Sequence, residues 1–67
     1  MAASIDIQRM AWLMIRRYGD EAVSRAAERG DVLLSRGEMY GVLAWIAIIR
    51  AIERLQATEP REEDTLQ

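Results

Sequence analysis

The side chains that could do covalent or acid-base chemistry in this chain are few. Three serine hydroxyls, Ser4, Ser24 and Ser35, could serve as nucleophiles only beside a base such as histidine or lysine, and the chain contains neither. The absence of histidine also removes the commonest metal ligand and the usual general base near neutral pH. Cysteine is absent too, which excludes thiolate nucleophiles, disulfides and Cys-type zinc sites together. Asp20 and Glu21 are neighbours where a helix should start, so capping accounts for them. Glu62, Glu63 and Asp64 could attract a divalent cation, but without a glycine-containing loop they do not make a calcium site. The expectation is a protein with no catalytic residue, no metal and no cofactor.

Two short motifs have simpler readings. Arg29-Gly30-Asp31 spells an integrin-recognition tripeptide, yet its glycine falls on the apolar face of a helical pattern. Gly37-Glu38-Met39-Tyr40-Gly41 has the small-xxx-small form of closely packed helices, although Gly37 is better explained as a helix stop. Gly41 could admit the backbone of a neighbouring helix.

Sixty-seven residues make one domain, and a chain this short buries only about 60% of its unfolded surface, so a partner subunit is an expected source of stability. Every basic residue is arginine. Residues 1–57 carry eight arginines against seven acids, whereas 58–67 carry Arg61 against Glu59, Glu62, Glu63 and Asp64. A near-neutral body with an acidic tail gives no electrostatic footprint for nucleic acid. The start Met-Ala-Ala-Ser-Ile-Asp has no basic segment followed by an apolar one, so no secretory signal is expected and cytoplasmic is the default location.

The elements follow from spacing. Ser4 can cap a first helix, predicted over about 5–18, in which Ile7, Met10, Ala11, Met14, Ile15 and Tyr18 share a face and Gly19 supplies the stop. Asp20 can cap a second, over 21–36, with the face Ala22, Val23, Ala26, Ala27, Gly30, Leu33 and Leu34 and the stop Gly37. Ala26 and Gly30 lie one turn apart and let another helix come close. A break at Gly30-Asp31 is the alternative, but Leu33 and Leu34 keep the phase of Ala22 and Ala26. The third helix is predicted over 38–57, ending ahead of Pro60, and 58–67 reads as a disordered acidic tail.

The run Val42-Leu43-Ala44-Trp45-Ile46-Ala47-Ile48-Ile49 is apolar all round, yet far short of the roughly 20 residues of a membrane span. With about 100° between residues, Val42, Trp45, Ile48, Ile49, Ile52 and Leu55 share one face, while Leu43 and Ile46 fall among Arg50, Glu53 and Arg54. Trp12 and Leu13 similarly flank the polar side of the first helix. Four large apolar residues, Trp12, Leu13, Leu43 and Ile46, are therefore left over as candidate interface residues. Trp45 can be read as a core aromatic or as an interface anchor.

The stretch Ala11-x-x-Met14-Ile15-x-x-Tyr18-Gly19-x-x-Ala22, followed by a small-residue-rich helix and by Gly37-Glu38-x-x-Gly41-x-x-x-Trp45-x-x-Ile48-x-x-Ala51-Ile52-x-x-Leu55, resembles a family of small alphaproteobacterial proteins of unknown function. The resemblance covers residues 6–56 and brings no activity with it. The chain departs from the pattern at Ile46, where a polar or charged residue is expected. The helix–Gly-Glu–helix unit also looks distantly like one tetratricopeptide hairpin, of which a single copy of about 34 residues cannot make a solenoid.

These readings converge on an all-α, three-helix domain in which the second and third helices form an antiparallel hairpin and the first packs across them. The expected function is a non-enzymatic protein-protein interaction module, a homodimer or a receiver of a protein partner through the third helix. The alternative is a small DNA-associated regulator using Arg9, Arg16, Arg17, Arg25 and Arg29. An interfacial membrane helix is disfavoured, because acids and arginines alternate on the polar faces.

Overall fold

The computed structural model describes residues 3–57 and is helical almost throughout, with no strand among them. Helix α1 runs Ala3–Tyr18, a 3-10 turn covers Gly19–Glu21, α2 runs Ala22–Ser35 and α3 runs Met39–Ala57. This is the expected all-α arrangement, with α2 and α3 forming the hairpin and α1 packed chiefly on α3. The predicted acidic tail, 58–67, lies outside the described residues.

Both glycine stops act as such. Gly19 has φ +55° and Gly37 has φ +74°, conformations that cost a residue with a Cβ. At Gly37 the end of α2 closes in a Schellman motif. The Glu38 N–H donates to the Leu33 carbonyl at 2.9 Å and the Gly37 N–H to the Leu34 carbonyl at 3.0 Å. The Glu38 carbonyl then accepts from the Val42 N–H at 3.1 Å, so one short turn ends α2 and starts α3.

The helix starts differ from expectation. α1 begins at Ala3, which puts Ser4 inside the helix rather than ahead of it. Asp20 does not cap α2: it sits in the 3-10 turn, and the residue before α2 is Glu21, whose side chain makes no capping bond. The turn holds itself by backbone, through the Ala22 N–H to the Gly19 carbonyl, and is tied to α3 by the Gln56 side-chain amide donating to that same carbonyl at 3.1 Å. α2 is continuous through Gly30, so the break at Gly30-Asp31 does not occur.

The core packs four alanines around Met14, Ile48 and Ile52. Ala11 and Met14 of α1, Ala22 and Ala26 of α2, and Ile48, Ala51 and Ile52 of α3 are buried together, Ile52 being the largest that is fully so. Alanines on three helices allow the close approach that brings a short chain to interior packing density. Ile7, Ile15, Tyr18, Val23, Trp45, Ile49 and Leu55 pack around this centre, half-buried.

The seam between α2 and α3 bears out one expectation, that α3 comes close at Gly30, and corrects another. A Cβ on Gly30 would meet the Trp45 Cβ at 3.6 Å, which is ordinary contact rather than crowding. Gly41 is the tight position. It receives the Leu33 side chain rather than a neighbouring backbone, and a Cβ there would lie 2.7 Å from Leu33 Cδ1.

Candidate functional site

With a core this compact, several large apolar side chains remain outside it. Trp12 and Leu13 are each 49% exposed, Leu43 59% and Ile46 42%. Their angular positions explain this. Leu43 and Ile46 lie on the outer side of α3, turned away from Ile48, Ala51 and Ile52 as the spacing indicated. Their polar companions Arg50, Glu53 and Arg54 are exposed on the same side.

The exposed apolar surface is wider than the sequence suggested. Met10 and Leu34 were assigned to core faces but are exposed, as are Val32, Met39 and Tyr40. Leu34 follows Leu33 by one step of the helix, about 100°, which carries it to the open side of the α2–α3 seam. Met10 stands likewise exposed on the flank of α1 that faces Arg29 of α2. Spacing gives a direction around each helix; it does not give the width that a neighbour covers.

Two depressions organise this surface. The first lies between α1 and α2 over α3 and is lined by Met10, Leu13, Met14, Arg17, Tyr18, Arg29 and Trp45. It is a cleft of about 310 Å³ with an apolar floor, two arginines and no carboxylate. The second runs along the other side of the α2–α3 seam, where Leu34, Val42, Ile46 and Ile49 surround Ala27, Gly30 and Asp31. Leu13 therefore borders one depression and Ile46 the other, and the two share only Trp45 among their lining residues. Trp45 is half-buried, touches the core, and carries the Arg29 guanidinium 5.8 Å above its ring. Of the two readings of its sequence position, the packing against the core is observed, with part of the ring left exposed.

The charged groups are engaged unevenly. Arg25 lies 3.4 Å from Glu21 and 3.5 Å from Glu28, and stands 5.5 Å from the Tyr18 ring centre. These pairs are solvent-exposed and contribute little to stability, on the order of 0 to 1 kcal/mol. Arg17 and Arg29 make no ion pair among the described residues. The hydroxyls are used locally: Ser24 Oγ donates to the Glu21 carbonyl at 3.1 Å and Ser35 Oγ to the Val32 carbonyl at 2.7 Å. Among the described residues no cluster of histidine, cysteine or acidic side chains could hold a metal ion, and no helix is long and apolar enough to cross a membrane.

The chemistry this arrangement offers is contact chemistry: apolar area, two aromatic-arginine pairs and grooves of side-chain width. Compared with known proteins, the chain matches no family model, no curated protein and no solved structure.

Proposed function

We propose that the chain is a non-enzymatic helical interaction module that self-associates through the outer face of α3. The observation that carries this reading is the exposure of Leu43 and Ile46 on that face, next to the groove that Leu34, Val42 and Ile49 continue onto α2. Burying such a surface removes apolar area from water at about 25 cal/mol per Å², a gain that a core built largely of alanine leaves room for. A second copy presents the same surface, and a two-fold axis lets each cover the other. Trp12 and Leu13 supply a contribution from α1. The proposed setting is cytoplasmic, and a cysteine-free chain makes no demand on an oxidising compartment. The DNA-associated reading ranks second, since Arg25 lies between two acids and nucleic-acid affinity needs cations free to meet phosphates.

Sedimentation tests the proposal. The wild type is expected to sediment as a dimer at about 100 μM, and the double variant Leu43→Glu, Ile46→Glu as a folded monomer, because both changes fall on a surface outside the core. A wild type that stays monomeric at that concentration would end the self-association reading.

A further inference from the structure

The cleft between α1 and α2 shares only Leu13 with the residues proposed above for self-association, and its charge is unbalanced. Arg17 and Arg29 line it, no carboxylate does, and neither arginine has an ion-pair partner among the described residues. The floor is apolar, with Met10, Leu13 and Trp45 open to whatever enters. Its ligand must therefore bring acids together with an apolar group. We infer that the cleft receives the acidic segment 59–66 of the same chain, with Glu62, Glu63 and Asp64 set against Arg17 and Arg29 and Leu66 set on the floor beside Trp45.

Three facts support this occupant. The first is complementarity: the segment Glu59-Pro60-Arg61-Glu62-Glu63-Asp64-Thr65-Leu66 holds four acids, one arginine and one large apolar residue. The second is position. The described residues end at Ala57, directly after Gln56, whose amide is bonded to the Gly19 carbonyl. Tyr18, which precedes Gly19, already lines the cleft. The described chain thus ends beside the end of the cleft where α1 and α2 meet. The third is reach. From Ala57 back to the level of Trp45 is about 18 Å along α3, whereas the nine residues from Ala57 to Leu66 span up to about 30 Å when extended. The difference allows the chain to pass around the 3-10 turn. Tethering supplies an effective concentration on the order of millimolar, so weak, screened ion pairs suffice.

Nuclear magnetic resonance on the full chain tests the inference. A nuclear Overhauser contact between the Leu66 methyls and the Trp45 ring is expected at low salt, together with Trp45 indole and Arg17 and Arg29 side-chain N–H signals displaced from their positions at about 1 M salt, where the Debye length is about 3 Å. The triple variant Glu62→Gln, Glu63→Gln, Asp64→Asn should show the high-salt positions at every salt concentration. Leu66→Ala should abolish the contact and shift the Trp45 indole without altering the helical circular dichroism. Signals in the triple variant identical to wild type at low salt, or no contact to Trp45, overturn the proposal. A contact found only between differently labelled copies in an isotope-filtered mixed sample overturns it as well, by assigning the cleft to the segment of a second molecule.

Discussion

The two ends of the helical hairpin are built on opposite terms. At the end where α1 meets α2, three helices converge, and every residue buried among the described ones lies there: Ala11, Met14, Ala22, Ala26, Ile48, Ala51 and Ile52. At the turn end only α2 and α3 are present. From Ala27 to Ala47 no residue is buried, and Val32, Leu34, Met39, Tyr40, Leu43 and Ile46 are exposed. Two helices alone cannot enclose a core, because each covers only one flank of the other. The difference teaches that stability and interaction surface are separated along the length of one hairpin. Alanine serves the first by letting helices close in; larger aliphatic and aromatic residues serve the second.

Substitution at the two ends should separate them most sharply where side chains are largest. Ile52→Ala removes the largest fully buried side chain and is expected to cost about 2–5 kcal/mol, enough to unfold much of a domain this small. Leu34→Ala at the turn end is expected to stay within about 0.5 kcal/mol in the monomer. Urea denaturation of both variants decides, and equal costs would break the comparison.

A smaller effect probes the seam between the ends. Gly30→Ala gains about 1 kcal/mol of helix propensity in a position where the new methyl makes ordinary contact with Trp45, so its melting temperature should rise. Gly41→Ala gains less, because Leu33 Cδ1 must first move away. In a Leu33→Ala background the gain from Gly41→Ala should recover to about that of Gly30→Ala, and a double-mutant cycle measures the coupling. A Gly41→Ala gain that is the same in both backgrounds would mean that Leu33 turns aside freely.

The smallest expected effect is at the junction itself. Gln56→Ala removes the side-chain bond to the Gly19 carbonyl, for which about 0.5 kcal/mol is expected, the low end for a hydrogen bond at an exposed site. Amide hydrogen exchange should report the loss in the 3-10 turn and not at the α2–α3 turn.

Much of this fold is legible in the residues. Gly19 and Gly37 mark their stops because a left-handed backbone has one inexpensive occupant, and the outward direction of Leu43 and Ile46 follows from the helical period. What the residues did not convey depends on three dimensions. Asp20 has the chemistry of a cap, but the chain crosses there in a 3-10 turn whose carbonyl is held by Gln56, thirty-seven positions away. Met10 and Leu34 have the chemistry of a core, but they line open depressions between helices and stay exposed. The cleft with Arg17 and Arg29 combines residues from three helices, and no spacing within one helix announces it.

The turn at Gly37 also bears on the time course of folding. All of its hydrogen bonds join residues close in sequence, from Leu33 to Val42, and the Leu33 side chain settles on Gly41 within the same short loop. Closing so small a loop costs little chain entropy and takes on the order of a microsecond or less, whereas bringing Ala22 to the level of Ile52 must wait for most of two helices to form. On loop-closure cost alone, the hairpin is expected to zip from its poorly buried end toward its well-buried one.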